Sequence, residues 1–167
     1  MRDDARHPRA IAHFTSDDIR AIANAGRFRD PEDAAYLAGV LIARQHQILA
    51  RYLTRLSPLA DVSAANDQVC ATDLARASGA LPVERFHYSV VEIAGGRRIA
   101  LVATLGPQSL ICFHPTSLAR TELADDARER RVTFVVRNGT SAGPLEIHAY
   151  DLGTRGMFIV GLKRPAP

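Results

Sequence analysis

A chain of 167 residues with 47% apolar content suits one folded domain, or one small domain carrying a helical arm, and is too apolar for wholesale disorder. It has no run of 18 apolar residues that would make a transmembrane helix, and the charged start MRDDARHPRA lacks the apolar core of a secretory signal. The net charge of +3 rests almost wholly on arginine, with Lys163 the single lysine, no dense basic run and no tryptophan, so nucleic-acid binding gains little support.

Arginine and alanine together suggest a GC-rich bacterial coding sequence, and the chain as written is expected in the cytoplasm. Residues 1–13 read as a flexible lead. Thr15 then stands as N-cap with Asp18 at N3, a capping-box-like pair, and Phe14 can staple to Ile19. The helix is expected to run to about Ala25, with Ile19, Ile22 and Ala23 inward and Gly26 as the C′ residue. Asp17 and Asp18 could pass for a catalytic carboxylate pair, but capping already accounts for them.

The next stretch, Asp30 to Leu56, organises the chain. Asp30 is placed to cap, Pro31 suits the first helical position, and Glu32 and Asp33 complement the dipole. Ser57-Pro58 is the stop signal. Twenty-six residues from Pro31 to Leu56 predict a helix of roughly 39 Å at about 1.5 Å per residue. Ala38, Leu41, Ile42, Ile48, Leu49, Tyr52, Leu53 and Leu56 share one broad apolar arc, which calls for cover from the sheet or another chain. Gln45 lies within that arc as a buried amide bonded to nearby backbone, and His46 at its edge. Arg44, Arg51 and Arg55 share another face, together with Asp33. That face could meet a partner or phosphates, although a solvated charged face is the commoner reason for such a pattern.

Residues 57–66 read as a connector of small residues. Gln68 to Ala71 suggests a short strand, and Asp73 onward a helical turn ended by Gly79. From Arg85 the period changes to two: Phe86, Tyr88 and Val90 alternate with His87, Ser89 and Val91. Gly95-Gly96 signals a tight turn, and Arg98 to Thr104 the return strand. Ser109 to His114, Arg131 to Arg137, Leu145 to Tyr150 and Met157 to Leu162 follow as strands, with residues 117–130 as a charged loop or helical turn. Residues 164–167 read as a frayed end. The pattern predicts an α+β chain, a short helix and a long amphipathic helix followed by an antiparallel β-sandwich-like half. The expected divisions are a lead at 1–13, a helical arm at 14–60 and a β domain at 61–167.

The N-terminal third resembles a segment of larger, uncharacterised bacterial proteins. These carry F-T-x-x-x-I-R-A-I, then a D-P-x-A-x-x-Y-x-x-x-L-I-x-R helix and a β-rich C-terminal part. The matching residues here are Phe14, Thr15, Ile19, Arg20, Ala21 and Ile22, then Asp30, Pro31, Ala34, Leu41, Ile42 and Arg44. Tyr36 is displaced by one position, and Gln45 and His46 stand where a second arginine and an aspartate are usual. The resemblance implies a C-terminal module of a larger protein and carries no activity with it.

Cys70 and Cys112 lack any C-x-x-C pairing, and in a reducing cytosol they are expected as buried, inert thiols. Cys112 and His114, at i and i+2 on one strand face, are the weak candidates for a nucleophile and its base. With His87 or His148 they could form a metal set, but no ligand spacing supports one, so neither metal nor cofactor is expected. No G-x-S-x-G elbow or phosphate loop occurs. The leading reading is a non-enzymatic protein-interaction or accessory structural module, with a protein partner or self-association and no membrane. One alternative is an enzyme or enzyme fragment with a site between the helical and β parts. The other is a weak nucleic-acid binder through the arginine face.

Overall fold

The computed structural model describes residues 10–116, 131–139 and 143–164. The expected charged segment 117–130, most of the lead and the extreme C-terminus lie outside them. Both N-terminal helices begin where their caps predict. In α1 (Ser16–Ala25), Thr15 Oγ1 accepts from the Asp18 backbone N–H at 3.1 Å, and Asp18 Oδ2 accepts from the Thr15 N–H at 2.8 Å. The Thr15 N–H foremost, and with it the Thr15 hydroxyl donating to Asp18 Oδ2 at 2.7 Å, hold the Asp18 carboxyl below its ordinary value. Gly26 ends the helix with φ −66°, not in the left-handed geometry expected of a C′ glycine.

In α2 (Pro31–Leu53), Asp30 Oδ1 accepts from the Glu32 N–H at 2.9 Å and Pro31 opens the first turn. Its 23 residues end three short of the expected Leu56. The Thr54 hydroxyl donates to the Ala50 carbonyl at 2.8 Å, and Leu56 is buried in the turn toward the sheet. The two helices pack as a hairpin. Gln45 pins its base: Nε2 donates to the carbonyls of Ile11 at 2.9 Å and Phe14 at 2.6 Å, so the buried amide is satisfied by backbone as anticipated.

The β half is a sandwich of two antiparallel sheets. One contains β1 (Leu59–Ala65), β2 (Gln68–Asp73), β5 (Thr104–Leu105) and β6 (Leu110–Phe113), in spatial order β1-β2-β6-β5. The other contains β3 (Ser89–Ala94), β4 (Arg97–Leu101), β7 (Arg131–Arg137), β8 (Leu145–Asp151) and β9 (Met157–Lys163), in order β4-β3-β7-β8-β9. Val69, Ala71, Ile111 and Phe113 from the first sheet meet Val90, Val132, Phe134, Val136, Leu145 and Ile147 from the second. The Phe113 and Phe134 rings lie 5.0 Å apart, a tilted contact across the layers.

The 57–66 connector was misread, because β1 occupies most of it. Its small side chains give weak alternation, but Asn66 and Asp67 take φ 50° and 57°, forming a two-residue turn that pairs Ala65 with Gln68. Gly95 and Gly96 make the expected turn between β3 and β4 in the same left-handed region. The period-two phase read from Phe86 onward carries Glu92 to the inner face. There it is buried and accepts from the Thr116 N–H at 2.7 Å and hydroxyl at 2.9 Å.

Arm and sandwich meet through a second core. Leu49 and Leu53 of α2 pack with Ala60, Leu74, Ala75, Leu81 and Phe86, so this part of the apolar arc folds back onto the β half. The short helix α3 (Leu74–Ser78) sits here, capped by Asp73 and closed by Gly79 at φ 63°. Asp73 accepts from the Ala75 N–H at 3.0 Å and the Arg76 N–H at 3.3 Å, and its Oδ2 is 3.1 Å from Arg76 Nε. Burial pushes the Asp73 carboxyl up, despite the counteracting Tyr88 hydroxyl and Arg76. Burial, then the neighbouring Asp73 charge, raises the Tyr88 phenol strongly. Arg164 is anchored where fraying was expected, its Nη1 donating to the Leu59 carbonyl at 2.8 Å. Among the described residues no helix is long and apolar enough to cross a membrane.

Candidate interaction groove on the helical hairpin

The apolar arc of α2 divides into a covered and an uncovered part. Successive helical residues turn by about 100°, so Leu49 and Leu53 point to the sandwich while Leu41, Ile48 and Tyr52 lie on the flank. Ile48 and Tyr52 were expected under the sheet; they are 37% and 36% exposed, and Leu41 is 37% exposed. On α1, Ala23 faces α2 and is buried, whereas Ile22 was expected inward and is 58% exposed. One position of rotation from Ala23 carries it past the helix–helix contact. Phe14 and Ile19, the expected staple pair, border the same space.

These residues enclose an open groove of about 330 Å³, lined by Ile11, Phe14, Ile19, Ile22, Leu41 and Ile48, with Gln45 and Arg44 as its polar members. Gln45 has its amide protons committed to the Ile11 and Phe14 carbonyls, so it shapes the groove more than it binds. Arg44 is exposed at the rim, Arg51 is exposed farther along α2, and Arg55 is exposed in the turn that follows it. Among the described residues none of the three joins an ion pair.

Cys112 and His114 lie elsewhere, on the outer face of the four-stranded sheet. Cys112 is bonded to Cys70, correcting the expectation of two free thiols. The β2–β6 register sets the two cysteines directly opposite each other with Cα atoms 4.1 Å apart, close to the short spacing of a non-hydrogen-bonded pair. In this form Cys112 offers no thiolate. His114 Nδ1 lies 3.2 Å from the Asp67 carbonyl and its Nε2 2.9 Å from Gln68 Nε2. A carbonyl only accepts, so Nδ1 donates, and the ring ties β6 to the β1–β2 turn.

His148 is on the outer face of the other sheet, beside Thr133 at 3.2 Å and Glu146 at 3.7 Å, with the sandwich between it and His114. His87 is exposed before β3. Among the described residues no three His, Cys, Asp or Glu side chains converge as a metal site.

A second apolar strip went unread in the sequence. On β9, Met157 and Ile159 pack on the core while Phe158, opposite Tyr150, faces outward at 60% exposure; Val160 lies at the register shift and Leu162 opposite Ile147, both exposed along this strand at the end of the sheet order. The signal was the uninterrupted run MFIVGL, which is apolar on both strand faces. Comparison with known proteins adds no relative: no family model, no curated protein and no solved structure matches the chain.

Proposed function

We propose that this chain is a non-enzymatic protein-interaction module whose binding surface is the groove of the helical hairpin. The observation that carries the reading is the apolar strip Leu41–Ile48–Tyr52, continuous with Ile22 and Phe14 and left partly exposed by the other described residues. Contiguous exposed apolar surface of this kind, bordered by polar residues, marks association sites on folded proteins. The exposed β9 residues are the weaker competitor, because Phe158, Val160 and Leu162 line none of the described grooves. The enzyme alternative draws less support. The junction between arm and sandwich is packed by apolar side chains around the buried Asp73 and its half-buried neighbours Tyr88 and Arg76, with no groove described there, and the Cys112–His114 pair lies away from it, with Cys112 already bonded.

The resemblance of the N-terminal third makes the chain a module of a larger bacterial protein in this reading. The Cys70–Cys112 bond favours an oxidising compartment over the cytoplasm, because glutathione and thioredoxin keep cytosolic thiols reduced. A photo-crosslinking amino acid placed at Ile48 or Ile22 tests the interaction reading, with Ser63 and Phe158 as sheet positions for comparison. Discrete cross-linked species from the hairpin are expected. Cross-links from the sheet positions alone, or none from the hairpin in the producing cell, would refute it.

A further inference from the structure

The exposed apolar residues of α2 have cationic neighbours at a fixed offset. Within α2, Arg44 follows Leu41 by three positions and Arg51 follows Ile48; Arg55 follows Tyr52 in the turn just past the helix end. Residues three apart on a helix are surface neighbours, so an apolar row and an arginine row run side by side. From Leu41 to Tyr52 the helical part of the strip extends roughly 17 Å at about 1.5 Å per residue. No carboxylate occurs in the sequence from Ala34 to Arg55. Asp33 lies on the arginine face before the strip begins, and on α1 Asp17 pairs with Arg20 at 2.7 Å while Asp18 is bound in the capping box.

Building on the interaction reading above, we propose that this strip docks an acidic amphipathic helix of a protein partner. Its apolar side chains would lie against Leu41, Ile48 and Tyr52, and a flanking row of carboxylates would meet Arg44, Arg51 and Arg55. Helix-in-groove recognition uses this division of labour: apolar anchors supply affinity, while charges set register and partner choice. Arginine suits the role because its planar fork binds a carboxylate through two parallel hydrogen bonds.

The other occupants fit less well. A second copy presenting the same strip about a two-fold axis would bring both arginine rows into one interface, at a repulsive cost. A bilayer receives a convex ridge, whereas the strip continues into a concave groove between α1 and α2. Phosphates of a nucleic acid would find only three cations beside the apolar side chains, with Phe14 and Tyr52 the aromatics bordering the strip.

The test uses the full chain and a fluorescent peptide of about 18 residues, long enough to span the strip at about 1.5 Å per residue. The peptide is helical, with a leucine row and a flanking glutamate row; a sister peptide carries lysine in place of glutamate. In anisotropy titrations the glutamate peptide is expected to bind about tenfold more tightly or better, as three exposed ion pairs allow. Arg44→Glu, Arg51→Glu and Arg55→Glu together should reverse the preference. The neutral set Arg44→Gln, Arg51→Gln and Arg55→Gln should abolish it, keeping the test open should the reversed variant misfold. Ile48→Asp should weaken the glutamate peptide by a similar factor.

Failure of the glutamate peptide to bind, equal binding of both peptides, or indifference to the arginine variants would overturn the proposal. So would arginine-dependent binding of phosphatidylserine vesicles or duplex DNA in preference to the glutamate peptide, or a dimer that Ile48→Asp dissociates. Hairpin cross-links to another protein that persist after arginine reversal would overturn the acidic partner and leave the interaction reading intact.

Discussion

Breaking the Cys70–Cys112 bond isolates the contribution of one covalent link from that of the fold around it. The cysteines are 42 residues apart in sequence, and the bond closes that loop in the unfolded chain. The chain-entropy relation gives about −13 cal/mol/K for a loop of this size, or about 4 kcal/mol at room temperature. In the native state the bond lies on the outer face of its sheet, while Val69, Ala71, Ile111 and Phe113 pack inward without it. The β2–β6 ladder is also independent of the sulfurs. Reduction, or Cys70→Ser with Cys112→Ser, is therefore expected to lower stability by about 4 kcal/mol through the unfolded state while leaving the native β signal unchanged. Urea denaturation with and without reductant measures the difference, and thiol titration verifies the redox state. Equal unfolding free energies for fully oxidised and fully reduced protein would refute the entropic account. Two titratable thiols in protein purified and unfolded without reductant would refute the bond itself.

Three further outcomes follow from the caps and the second core. Asp30→Ala should lower stability by about 0.5–2 kcal/mol, because the Glu32 N–H loses its acceptor; an unchanged denaturation midpoint would count against the cap. Burial raises the folded-state pKa of Asp73 above its ordinary 3.8, so the native state holds that proton more tightly than the unfolded chain. The stability this confers is fully present below the unfolded value and is lost as pH rises through the folded one. Asp73→Asn keeps an oxygen for the α3 cap and removes the titration, so its stability relative to wild type should improve from about pH 4 upward; a flat or opposite trend in denaturation curves across pH would show that Arg76 outweighs burial. Leu49→Asp with Leu53→Asp should disrupt both the arm and the β half, since each places an uncompensated charge in the core they share; an intact β circular-dichroism signal would refute that coupling.

Local chemistry was legible in the sequence wherever its cause lies within about four residues. Thr15 with Asp18, Asp30 with Pro31, and Asp73 with Gly79 each marked a helix end, because a cap and the backbone group it satisfies are close along the chain. Gly95-Gly96 marked its turn for the same reason, and the apolar alternation of RVTFVVR marked β7. Gln45 was readable as a buried amide from its position on the apolar arc alone.

What lies over each apolar face was decided only by tertiary structure. Leu49 and Ile48 are neighbours in sequence and equally apolar, yet α3, Leu81 and Phe86 arrive over one and nothing in the described chain arrives over the other. The same holds for the two faces of β9. The cysteine pairing depended on the β2–β6 register, set by side chains some forty residues apart, and compartment reasoning pointed the other way. The arginine row was visible as a pattern on α2. Its meaning as the edge of an uncovered groove arose only when α1 packed beside it, because exposure is a property of the whole fold and a sequence pattern specifies only which side chains share a face.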